Sequence, residues 1–245
     1  MRTRFAVCAL AILFLGTAPV FAGGASFNFN FGGPDTTLAT PQSYMSNGAT
    51  ITANGYVCSA TDSTSSATLS NCSATNLFAK SDGPNETGLG LAGQGNGENE
   101  IGFDGTNADY VIGLNVSSLF NLGATSMTLS FGSVQPGEAY AILGYGSDPF
   151  LNSSFALTNT QAWVGNDGST SAQVFSSTIS LNANDQFLVL ISPCGATLNP
   201  PPCGSNVTLN SLTAPTPEPG TLALFGTGLL ALGFGLRRRF AARSI

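Results

Sequence analysis

The chain has 245 residues, seven basic and thirteen acidic, no histidine, and a formal net charge of −6. Six of the basic residues lie near the two ends, so Gly23 to Glu218 holds Lys80 alone against all thirteen acids, a formal charge of about −12. Such a surface repels polyanions and excludes nucleic-acid binding. The lack of histidine removes the usual base of serine and cysteine hydrolases and the commonest zinc, iron and copper ligand.

In chain order, Arg2 and Arg4 form a positive start, Phe5 to Leu15 an apolar run too short to span a bilayer, and Val20-Phe21-Ala22 a small-residue cut site. Residues 1–22 therefore read as a signal peptide, with Cys8 lost on its removal. Residues 23–213 follow as one ectodomain. Phe27, Phe29 and Phe31 alternate with polar residues, the period of a half-buried strand. Ile51 to Val57 is a second strand. The polar stretch between Cys58 and Cys72 reads as a hairpin or loop stapled at its base, and Leu77 to Ala79 as a short strand. Ser81 to Gly105, rich in Gly, Asn and acids, reads as a long loop with short extended pieces.

Tyr110 to Leu114 is apolar and β-branched, and Val116 to Leu122 suits one helical turn capped by Asn115. Met127, Leu129 and Phe131 alternate with small polar residues. Gln135 to Glu138 turns the chain, which predicts Ala139 to Tyr145 as the antiparallel partner of that strand. Gln161 to Val164, Val174 to Leu181, Phe187 to Ile191, and a last strand at Val207, Leu209 and Leu212 complete the set. Nine or ten strands with Gly/Asn/Pro turns and no long amphipathic helix predict an all-β, antiparallel β-sandwich, jelly-roll-like or Ig-like.

Four cysteines remain after the leader, as Cys58…Cys72 and Cys194…Cys203. Four allow three connectivities, of which two local bridges are the simplest. A metal site would want histidine or a C-x-x-C, and neither is present. Disulfides suit an exported chain.

Chemistry has few candidates. Asn96, Glu98, Glu100, Asp104, Asn107 and Asp109 are hard oxygen ligands spaced by glycine, which suits calcium, although neither an EF-hand nor a nonapeptide repeat fits; a solvated loop is the competing reading. The same carboxylates are the raw material for a glycosidase-type pair, which needs two carboxyls opposed across a cleft. Trp163, Tyr140, Tyr145 and Tyr44 are candidates for stacking on sugar rings, or simply core residues. Tyr140 and Tyr145 differ by an odd number, so a regular strand points them to opposite faces. No cofactor other than calcium is implied.

Residues 214–220 form a linker containing Pro217, Glu218 and Pro219; residues 221–236 are apolar apart from two threonines, and residues 237–245 form a basic tail opening with Arg237, Arg238 and Arg239. Sixteen residues at ~1.5 Å rise span roughly 24 Å, short of a ~30 Å hydrocarbon core, with arginine stems able to snorkel over the difference. The basic triplet predicts a transmembrane helix whose C-terminal side stays in the cytoplasm. A Pro-Glu-Pro triplet, a short apolar helix and an arginine cluster, in that order, resemble the PEP-CTERM sorting signal of exported bacterial proteins. The resemblance covers about thirty residues. It implies export, brief anchoring in the inner membrane, cleavage near the triplet by an exosortase, and a producing cell that makes exopolysaccharide. A plain, unprocessed tail anchor is the alternative. The resulting expectation is a non-enzymatic cell-surface or matrix protein associated with exopolysaccharide; the alternatives are a carbohydrate-binding module or a secreted carboxylate-dependent glycan-active enzyme.

Overall fold

A computed structural model describes residues 26–60, 68–94, 98–103, 108–136, 138–152, 154–156, 160–165, 171–191, 206–216 and residue 228. The described strands all fall in one compact unit, Ser26–Pro217. They are β1 (Ser26–Asn30), β2 (Thr36–Leu38), β3 (Gln42–Ser46), β4 (Ala49–Ala60), β5 (Thr68–Thr75), β6 (Leu77–Ser81), β7 (Thr87–Leu91) and β8 (Ile101–Phe103). After β9 (Ala108–Asn115) comes a short helix, α1 (Ser117–Asn121). Then follow β10 (Ser126–Val134), β11 (Ala139–Tyr145), β12 (Ser154–Ala156), β13 (Thr160–Gly165), β14 (Gln173–Ser180), β15 (Phe187–Ile191) and β16 (Asn206–Pro215).

The described pairings are antiparallel and form two sets of ladders. In the first, β14 pairs β10 and β10 pairs one edge of β16. The other edge of β16 is shared in succession by β1, from Ser26↔Pro215 to Asn30↔Ser211, and by β7 at Leu89↔Leu209, with β6 and β2 beyond. In the second, the order is β13-β11-β15-β9-β4, and the far edge of β4 is shared by β3 and β5, with β12 outside β5. Strand β8 pairs both β9 and the start of β16, so it joins the two sets into a nearly closed sheet.

One apolar core draws on both sets. Phe27, Phe29 and Phe31 follow the period-two pattern into it, as do Met127, Leu129 and Phe131. They meet Ile51, Ile112, Leu114, Ile142, Leu188 and Leu190 from the second set. Phe187 to Ile191 is buried along its whole length, as a continuous apolar strand must be when both faces are covered.

Several expectations change. Strand β11 does not pair with β10; its partners are β13 and β15. The turn at Gln135 carries the chain across the core to the other set. Phe131 and Tyr140 then stack ring on ring at 3.9 Å instead of lying side by side in one sheet. Within the run from Ser81 to Gly105 the short extended pieces are β7 and β8, and β7 is buried over Gly88 to Leu91 instead of lying in a solvated loop. Its glycines allow close approach: a Cβ on Gly88 would lie 2.6 Å from the Leu209 carbonyl oxygen. The helical turn begins one residue later than the sequence suggests. Val116 is its N-cap, and Asn115 Oδ1 accepts from the Ser117 amide at 3.1 Å and hydroxyl at 2.7 Å. Sixteen strands among the described residues replace the nine or ten expected, because short edge pieces such as β2 and β12 carry no pattern of their own.

No helix among the described residues is long and apolar enough to cross a membrane. The signal peptide expected at residues 1–22 and the transmembrane helix expected at residues 221–236 lie outside the described residues, apart from Gly228.

Candidate functional site

The chain's one lysine sits in β6 with only 6% of its surface exposed. Its Nζ donates to Glu100 Oε1 at 2.6 Å and lies 3.3 Å from Asp82 Oδ2 and 3.9 Å from Glu98 Oε2. Glu100, 1% exposed, reaches this position because β7 lets the chain cross it closely: a Cβ on Gly90 would collide with the Asn99 and Glu100 backbone. The Glu100 amide is held in turn by Gln94 Oε1 at 2.9 Å. Charges so deeply buried persist only when paired.

The protonation of the cluster follows from its surroundings. Burial alone pulls the Lys80 ammonium down, but hydrogen bonds and charge from Glu100 and Asp82 outweigh it and hold the pKa above the ordinary value. Burial lifts the Glu100 carboxyl, and Lys80 only partly offsets that rise. Glu138 belongs to the same neighbourhood. Its carboxylate accepts from the Gln135 amide at 2.7 Å and the Asn206 amide at 3.0 Å, tying the turn after β10 to the start of β16. Burial first, then the charges of Glu100 and Glu98, push its pKa up to about 7 against the pull of those two amides.

The oxygen ligands expected for calcium are therefore divided. Glu98 and Glu100 face Lys80, which supplies the positive charge at this cluster. Asp109 lies on β9 in register with Cys58 and Phe103, and Asn96, Asp104 and Asn107 lie outside the described residues. Among the described residues no three acidic, histidine or cysteine side chains gather to hold a metal.

Cys58 and Cys72 form a disulfide. It joins β4 to β5 where their register shifts between Val57 and Ser59, with Asn71 at φ 49°. Both strands continue past it, to Ala60 and from Thr68, so of hairpin and loop it is a hairpin whose arms the staple ties together. Cys194 and Cys203 lie outside the described residues. Of the aromatic candidates, Tyr140 is core: fully buried, stacked on Phe131, and hydrogen-bonded to the Ser177 hydroxyl at 3.0 Å. Tyr145 faces the other way, as its odd spacing requires, and packs in a second cluster with Val111, Phe187 and Phe150. Tyr44 stands edge-on to Phe31 at 4.7 Å. The side chain of Trp163 lies outside the described residues.

Strand β16 is the hub of the first ladder set, and its last residue, Pro215, sits opposite Ser26, the first residue of β1. The two ends of the β unit are thus neighbours. Fold and cluster together define a mostly antiparallel β protein with a buried lysine ringed by acids. Residues 215–239 match the PEP-CTERM protein-sorting motif, so the chain carries the signal of an exported protein processed by an exosortase-type protease. Pro217, Glu218, Pro219 and Arg237 to Arg239 all fall inside the matched span but outside the described residues. No curated protein and no solved structure matches the chain.

Proposed function

We propose that this protein is a non-enzymatic component of the cell surface or extracellular matrix, associated with exopolysaccharide. Residues 221–236 hold it at the inner membrane until an exosortase cuts near Pro217 to Pro219. The observation that carries this reading is the sorting motif, which begins at residue 215, where β16 ends. A strand paired along both edges is locked in place, so a cut two or more residues beyond it releases a whole domain. The shared core between the two ladder sets supports the finer description of that domain as a β-sandwich, jelly-roll-like or Ig-like. The acids Asp82, Glu98 and Glu100 converge on one lysine, an arrangement suited to holding charge and not to opposed acid and base groups across a cleft.

The test is processing in a bacterial host with and without its exosortase. With the enzyme, the wild-type protein is expected outside the inner membrane and lighter by the residues after the cut. Without it, or with Glu218→Ala, the arginine-bearing end should stay attached and the protein should stay with the membrane. An intact tail in the exosortase-positive host, or a protein confined to the cytosol, would sink this reading.

A further inference from the structure

On the outer face of the second ladder set, away from the shared core, an open groove of about 360 Å³ lies at one end of the sheet. Its floor and walls follow from strand parity. Thr52, Asn54 and Tyr56 alternate with the buried Ile51 and Ala53 along β4, so they share the outer face. Opposite Asn54 in register stands Gly113 of β9. A Cβ there would meet the Phe187 and Phe150 rings at 2.8–3.1 Å, so the missing side chain is what lets both rings sit low over the strand. Phe150 stacks on Tyr56 at 3.7 Å and 12°, so an apolar floor adjoins the polar groove. The far wall is the turn Gly146, Ser147 and Asp148.

The polar groups on these walls are only partly used. Asp148 Oδ1 accepts from the Phe150 amide at 2.9 Å, which leaves its second oxygen for other partners. Asn115 accepts twice from Ser117 through Oδ1, which leaves its Nδ2 hydrogens. Among the described residues, the Asn54 side-chain amide and the Ser147 hydroxyl have no hydrogen-bond partner at all. Among the described residues of the lining Asp148 alone is charged, and its field reaches Tyr56, whose phenol burial and then Asp148 push up to about 12.

We propose that this groove binds a neutral glycan. A single carboxylate is too little for a metal ion, and it repels an anion, as does the rest of an acidic surface. Unspent amide donors and acceptors and one carboxylate oxygen able to take a hydroxyl pair match a ligand with a rim of hydroxyls. The volume lies near the lower end of the roughly 300–1,000 Å³ range of small-molecule sites, room for one or two sugar rings of a longer chain. The matrix reading above supplies the source of the glycan; the geometry of the groove stands without it.

The experiment is a titration of the full chain in phosphocholine micelles, which contain no sugar, with neutral tetrasaccharides of β-1,4-glucose, α-1,4-glucose and β-1,4-mannose. Tetragalacturonate is the charged control. Side-chain amide NMR signals of Asn54 and Asn115 are expected to shift with at least one neutral chain and not with the galacturonate. The variant Asn54→Ala with Asp148→Asn should bind at least about tenfold more weakly, the loss of one or two hydrogen bonds. Asn54 has no side-chain partner in the described fold to lose, and asparagine at position 148 can still cap Phe150. Silence toward all three neutral chains, shifts confined to other residues, or equal binding of tetragalacturonate would overturn the groove. If no neutral chain shifts Asn54 or Asn115 and wild type still partitions into the matrix of producing cells, the groove fails and the matrix reading stands. If wild type binds sugar in the groove but does not partition into the matrix, the matrix reading fails and the groove stands.

Discussion

Replacing Lys80 by methionine removes the only cation among the described residues within reach of Glu100. The stem volume is nearly kept, so packing changes little, while a carboxyl 1% exposed loses its 2.6 Å partner. Breaking one side of a buried pair costs about 3–5 kcal/mol, a large share of the roughly 5–15 kcal/mol that holds a domain together. The orphaned acid escapes part of that cost by keeping its proton. Its pKa is already raised by burial, and without Lys80 the chief opposition to that rise is gone. A carboxyl whose folded pKa exceeds its unfolded value of ~4.3 stabilises the fold fully below that value and loses this contribution as pH rises through the folded pKa. Urea unfolding followed by circular dichroism should therefore show a Lys80→Met deficit of about 3–5 kcal/mol at pH 7 that shrinks toward pH 4.5. Adding Glu100→Leu should recover most of it, since an apolar pair of similar volume is often no worse than a buried ion pair. A deficit below about 1 kcal/mol at pH 7, or one that does not change with pH, would refute the reasoning.

The remaining predictions concern the supports around that pair. Glu138, with a pKa near 7, binds its proton more tightly in the folded chain, so stability should decline as pH rises from about 4.5 to 7. The change should be on the order of 1–2 kcal/mol after allowance for partial exposure, and Glu138→Gln should remove that slope from the pH profile. Cys58 and Cys72 are 14 residues apart, so replacing both with serine should cost about 3 kcal/mol. Calorimetry should register that as a fall of about 6–12 °C in Tm. Gly90→Ala meets backbone at Asn99 and Glu100, which cannot rotate away, and should cost about 1–3 kcal/mol by denaturant titration. Gly33→Ala meets only the Ala79 methyl at 3.7 Å and is the control, expected within about 0.5 kcal/mol of wild type.

Much of the strand content was legible where residues alternate strongly. Phe27, Phe29 and Phe31, and then Met127, Leu129 and Phe131, point inward as their spacing requires, and the opposite facing of Tyr140 and Tyr145 followed from counting. The strand at Thr87 to Leu91 was hidden because TGLGL reads as loop. Its two glycines serve close approaches, Gly88 to the backbone of Leu209 and Gly90 to that of Asn99, and no pattern among neighbouring residues announces either contact.

Alternation, the leader pattern and the sorting motif are local properties, written in neighbouring residues, and so they could be read without any fold. The partner of β11, the pairing of Lys80 with Glu100, and the groove over Gly113 depend on residues far apart in the chain. A four-residue turn has the same composition whether it closes a hairpin or carries the chain across a core. The pairing of β11 with β13 and β15, and the packing of Phe131 against Tyr140 across the core, separate the two cases. Acids scattered through a glycine-rich segment likewise look solvated until the backbone crossing at Gly90 brings one of them against a buried ammonium.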